Sequence, residues 1–161
     1  MAAELSSGSA ERRLVELGIE LPAALAPPGH YVAAYVHGDL AETAGHLPFV
    51  HGAIVTEGRL GAEVDVAAGA EAAVAATLNC LASLRVALGS LDRVRRVLKL
   101  RGYVSATPEF DRHHLVTNGA SDLILSVFGE DGGAHVRASV GVASLPFRAP
   151  VEIELGVLLH G

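Results

Sequence analysis

Aromatic side chains are nearly missing from this chain: they make up 4% of its 161 residues, and there is no tryptophan. Half of the residues are nonetheless hydrophobic, so alanine, valine and leucine must supply a core closely packed from small side chains. The length suits a single domain with a real core. Few aromatics and a formal net charge of −6 argue against a nucleic-acid surface, which draws on clustered Lys and Arg and on base stacking. The one basic run, RVRRVLKL (Arg93 to Leu100), alternates with apolar residues and reads as a strand with a solvated face. Lys99 is the only lysine, in an ordinary position beside Arg95 and Arg96, which argues against Schiff-base chemistry. The lone cysteine, Cys80, excludes an intrachain disulfide and suits a reducing compartment. Its setting, AATLNCLASL, predicts a buried structural thiol.

Other absences narrow the chemistry. There is no G-x-S-x-G elbow and no phosphate loop. The eight histidines include no i, i+4 pair on a helix, so turn and surface positions explain them better than a metal site. No metal and no cofactor is expected. Met1 to Ala10 has neither a basic n-region nor an apolar h-region, and Glu71, Asn79 and Arg85 interrupt the Ala-rich run. A cytoplasmic protein without a membrane span is therefore expected.

The pattern that is present is α+β. Residues 1–8 are read as loose, and Ser9 caps a short helix ending at Gly18. Prolines 22, 27 and 28 make an extended connector. Short strands are predicted at Tyr31 to His37, Leu40 to Ala44 and Ile54 to Thr56. A long helix follows over 67–88, with Val74, Leu78, Leu81, Leu84 and Leu88 on one face and Gly89 as its stop. Next come a strand over 94–104, a second amphipathic helix over 115–128, and a loop at GEDGG. Two strands joined by a Pro-bounded turn end the chain. The whole reads as one domain, with residues 1–30 as helix and connector and 31–161 as core. Two helices would cover one face of a mixed sheet. The other face is read as small and apolar, to be buried against other subunits.

In the last two strands, Val136, Ala138, Val140 and Val142 share one face, as do Val151, Ile153, Leu155 and Val157. The opposite faces carry Arg137 and Glu152. An arginine on a small-residue strand can offer a planar fork of donors to a carboxylate. Ser139 points the same way and adds a hydroxyl. A glutamate in a partly apolar cleft can have its pKa raised and handle protons near neutrality. The alternative is a strand-face ion pair or a solvated edge, which composition alone favours.

Several segments together carry a family resemblance: GDLAETAGHLP (Gly38 to Pro48), VTNGASDL (Val116 to Leu123), and VRASVGVASLP followed by VEIEL. Over nearly its whole length the chain resembles the reactive intermediate deaminase family, also called YjgF-like or Rid and once labelled endoribonuclease L-PSP. ERRLVELGIELP before GHYVAA matches the branch with an extra N-terminal helix. The resemblance implies a chorismate-mutase-like α+β fold assembled as a homotrimer, with ligand pockets at subunit interfaces. It implies that Arg137 binds a substrate carboxylate and Glu152 positions water. Asn118 and Tyr31 would be polar pocket residues, with Gly45 supplying backbone near the ligand, and His46 and Ser139 complete the candidate substrate-binding residues. The implied reaction is hydrolysis of small enamines or imines, such as 2-aminoacrylate, to 2-keto acids and ammonia. The alternative is a trimer that binds a small carboxylate-bearing metabolite without turnover. Departures from the deaminase pattern are Ser139, where cysteine is common, and Ala44-Gly45-His46, where Ser-Gly-Gln is common. The GEDGG segment also appears as an added length.

Arg137 lies ten residues before the turn at Phe147 and Glu152 five after it. In antiparallel strands they would stand about five residues, or ~17 Å, apart along the strand axis. Each site would then pair the arginine of one subunit with the glutamate of its neighbour.

Overall fold

The computed structural model describes residues 9–161; the segment 1–8, read above as loose, lies outside the described residues. Ser9 caps α1 (Ala10–Glu16), its side chain accepting from the Arg12 amide, and Gly18 ends the turn with a positive φ of 67°. Leu14 is buried in the core. The Glu11 carboxylate accepts from the Arg85 guanidinium at 2.6 Å and from the Leu91 amide at 2.9 Å. These bonds tie the N-terminal helix to the domain. From residue 20 to residue 30 the chain has no helix or strand, as three prolines require.

Five strands form the main sheet. They are β1 (Ala34–His37), β2 (Leu40–Thr43), β5 (Val94–Ser105), β6 (Val136–Val142) and β7 (Val151–Leu159), in the order β1-β2-β7-β5-β6. A separate ribbon pairs β3 (Phe49–Val50) with β4 (Ala53–Ile54). The predicted first strand thus starts three residues later, at Ala34, and the strand near Ile54 is one arm of that ribbon. Helices α2 (Val66–Leu88) and α3 (His113–Gly133) pack on each other and on the sheet. β5 and β6 are parallel, joined by the α3 crossover that parallel neighbours need. The result is the expected two-layer α+β sandwich with a mixed sheet.

The core depends on small residues. Asp65 caps α2 and Gly89 ends it with φ 80°. The deeply buried face of α2 is Ala72, Ala73, Ala76, Cys80, Leu81 and Leu84, while Val74 and Leu78 of the predicted stripe are only partly buried. Alanines face inward because α3 comes very close: a Cβ at Gly119 would overlap the Ala70 carbonyl. By length and composition alone α2 could cross a membrane, but 61% of its most apolar window is buried inside the domain. It is a core helix. Cys80 is fully buried, with its Sγ 3.3 Å from the Ile153 carbonyl, and burial pushes the thiol far above its usual range.

Three expectations need correction. The GEDGG segment is not a loop but a helical end of α3, which breaks at Gly129 (φ 72°, ψ 177°) and resumes. β6 and β7 are not a hairpin: β5 lies between them, pairing Leu100 with both Arg137 and Leu155. Cross-strand partners point to the same face, so Arg137 points with the buried Leu100 and Leu155 toward the helices. Val136 and Val140 therefore lie on the opposite, uncovered face and are 64% and 45% exposed. That face is not uniformly apolar either. Its centre carries Arg101, Tyr103 and Glu154, with the Tyr103 hydroxyl donating to Glu154 at 2.8 Å. Apolar residues on that face include the valines and alanine of β6 and the cross-strand pair Leu40 and Leu158 of β2 and β7.

Candidate functional site

Glu152 stands on the open face of β7, level with Tyr103. Just beyond β2, the backbone of His46 exchanges two hydrogen bonds with Ile153, at 2.8 and 3.0 Å. This bridge lays Gly45 directly on the Glu152 side chain: a Cβ at position 45 would overlap the carboxylate. The Gly45 backbone is not in the left-handed region, so what a side chain there would disturb is the position of the Glu152 carboxylate. Burial, then the neighbouring charge of Glu154, raises the Glu152 pKa above the ordinary carboxylate value. The carboxylate opens into a cavity of about 330 Å³, walled by Tyr31, Gly45, His46 and Asn79 together with Leu25, Pro27, Phe49 and Phe147.

His46 borders this cavity but is itself committed. Its Nδ1 lies 2.8 Å from the Ala44 carbonyl, which can only accept, so Nδ1 carries the proton and Nε2 accepts from the Ser83 hydroxyl at 2.8 Å. Burial lowers its pKa, which keeps the ring neutral and acting as a strut. Asn79 donates to the carbonyls of Leu47 and Phe49 at 2.9 and 3.0 Å, fixing the following loop.

A second polar cluster surrounds Arg137 on the edge strand β6. Its guanidinium donates to Asn118 Oδ1 and Ser121 Oγ, both at 3.0 Å, and more weakly to the His114 carbonyl at 3.4 Å. Ser121 in turn meets His135 Nε2 at 2.9 Å, and His135 Nδ1 bonds the Gly133 carbonyl. The Ser139 hydroxyl is shared with Thr117, beneath which Gly102 leaves room that a Cβ would fill. Asn118 is exposed and Arg137 half-buried.

The proposed residues therefore form two groups: Tyr31, Gly45, His46 and Glu152 at one place, Asn118, Arg137 and Ser139 at another. Along β5, Arg137 and Glu152 are offset by three residues, Leu100 against Tyr103, or about 10 Å. They are also two strands apart and on opposite faces. The five-residue offset expected from a hairpin is corrected, because the loop between β6 and β7 crosses over β5 asymmetrically. Arg137 and Glu152 therefore do not meet within one chain, as expected.

The family profile described as YjgF/chorismate mutase-like, putative endoribonuclease, matches residues 11–154. The chain belongs to this family. Protein TCP17 of Trypanosoma cruzi is 46% identical over 156 residues, covering 97% of this chain and 98% of its own. A crystal structure of a protein of unknown function from Agrobacterium tumefaciens is 47% identical, covers 94% of this chain and 92% of its own, and superposes with a TM-score of 0.86. That of a putative endoribonuclease from Shewanella oneidensis is 34% identical with a TM-score of 0.90, covering 94% of this chain and all of its own. The YjgF-like assignment and the fold class made from the sequence motifs hold.

Sequence reasoning missed the supporting residues. Ser121 was findable, since it stands three residues after Asn118 on a predicted helix, a spacing that shares one face. Asn79, Ser83 and Phe147 were not, because each reaches its partner across a long stretch of chain. Gly45→Ala is expected to cut any activity by at least tenfold by displacing the Glu152 carboxylate. Circular dichroism of the variant should show native secondary structure, and an active Gly45→Ala protein would remove Glu152 from the reacting site.

Proposed function

We propose that the protein hydrolyses small carboxylate-bearing enamines or imines to 2-keto acids and ammonia, in sites shared between neighbouring subunits of a homotrimer. The observation that carries the reading is the separation of the two groups. Each is polar and accessible, each lacks what the other has, and one chain cannot bring them together. A second copy docked with its Glu152 flank against the exposed β6 edge would do so, and would also cover Val136 and Val140.

In such a site the Arg137 fork holds the substrate carboxylate, preset by Asn118 and Ser121. An enamine gains a proton on carbon and gives one up from nitrogen to become the imine. Water adds to the imine carbon, its proton taken up by Glu152 and passed to nitrogen. The carbinolamine then expels ammonia as its hydroxyl loses a proton, leaving the keto acid. A carboxylate with a raised pKa suits both receiving and returning that proton. No redox partner is needed. The acidic chain and a mainly apolar cavity with a single carboxylate and no lysine or arginine among the described residues of its walls favour a small substrate over RNA, the class suggested by the family description.

The test is to generate 2-aminoacrylate or an iminobutanoate in situ and follow keto-acid release. Arg137→Lys keeps the charge but loses the bidentate fork, and a charge-assisted bond of this kind contributes about 1.5–3 kcal/mol. A roughly tenfold or greater weakening of keto-acid binding is expected. Binding without turnover in the wild type would leave a metabolite-binding trimer. Unchanged binding in Arg137→Ala would remove the carboxylate site from this position.

A further inference from the structure

We infer that the cavity beside Glu152 is a side-chain subsite, and that the preferred substrates are 2-imino or enamine acids bearing a branched aliphatic or aromatic group. The inference rests on the hydrolase reading for the reacting end of the molecule, and on independent observations for the rest. The cavity measures about 330 Å³, whereas a site of roughly 150 Å³ already accepts a benzene ring. Its walls are mainly apolar: Leu25 and Pro27 from the connector, Leu47 and Phe49 from the loop fixed by Asn79, and Phe147. A substrate with only a methyl or methylene substituent would leave most of this space to water against hydrocarbon.

Phe147 is the second observation. It and Arg148 have φ values of 57° and 56°, two successive non-glycine residues in the left-handed region, where side chains are disfavoured. The turn is held there by the Gly58 amide donating to the Arg148 carbonyl at 2.9 Å and by the Ala149 amide on Pro146 at 3.1 Å. Arg148 also faces Glu57 and Glu63, each at 3.7 Å. The strain presents a phenyl ring that is 60% exposed, set edge-on to Phe49 with centroids 5.4 Å apart. An exposed aromatic held in a costly conformation at the mouth of an apolar cavity fits a residue that closes on a ligand group. The proline-bounded connector supplies the facing wall with little freedom left to lose on binding.

Two measurements on the full-length protein test this. The first compares kcat/KM for the imines generated in situ from alanine, leucine and phenylalanine. The second compares calorimetric binding of pyruvate and 4-methyl-2-oxopentanoate. The larger member of each set is expected to be favoured at least tenfold, and Phe147→Ala should reduce that ratio severalfold with native circular dichroism. Equal or better use of the smaller compounds would overturn the subsite and leave the hydrolase reading standing. If no imine reacts but 4-methyl-2-oxopentanoate binds at least tenfold more tightly than pyruvate, the subsite stands and the hydrolase reading fails. No imine turnover together with no binding of either keto acid overturns both.

Discussion

Arg137→Ala and Glu152→Gln proteins, each inactive alone, are expected to regain about a quarter of wild-type turnover when mixed in equal amounts, dissociated and reassembled. The fraction follows from symmetry: in a closed ring of random composition, about half of the chains offer an intact arginine and about half of their neighbours an intact glutamate. The structural basis is the register. Leu100 carries Arg137 to the helix side of the sheet while Tyr103 carries Glu152 to the open side. No side-chain rotation brings two groups on opposite faces together. Light scattering should give three chain masses of 16.6 kDa for the parent protein. Failure of the mixed sample to recover any activity, with subunit exchange verified by mass, would rule out shared sites.

Glu152→Gln is expected to abolish turnover while making the fold more stable above the titration range of Glu152. The carboxyl has its pKa raised by burial and by Glu154, so the folded protein favours its protonated form. The stability this contributes is fully present below the unfolded-state pKa and is lost as pH rises through the higher folded value. Glutamine does not titrate. The variant's advantage in melting temperature should therefore be absent in acid and appear as pH rises through the Glu152 range. A difference independent of pH would show that Glu152 is not perturbed. Glu154→Gln removes the second cause of the shift and should move the acid limb of the activity profile toward lower pH. A site kept at a cost to the fold is what a working carboxylate in a partly apolar cleft predicts.

Alternation, helical spacing and turn residues were legible in the sequence because they are local. Asp65 and Gly89 mark the ends of α2, Ser9 starts α1, and Val151, Ile153, Leu155 and Val157 of β7 alternate on a buried face. Arg137 and Glu152 were likewise readable as residue types able to bind a carboxylate and move protons, while Gly45 and Asn118 were legible only through the family resemblance. Tertiary structure decided what those signals cannot contain. Strand order is one such choice: nothing between Val142 and Val151 says that the chain will cross β5 before pairing, yet that crossing puts Arg137 and Glu152 on opposite faces. The buried stripe of α2 is another. Its alanines turn inward because Gly119 lets α3 approach the Ala70 backbone, a contact between residues about fifty apart in sequence. The same reason hid the cavity. Leu25, Phe49 and the stretch from Phe147 to Glu152 are three distant segments, and periodicity within any one of them carries no record of the others.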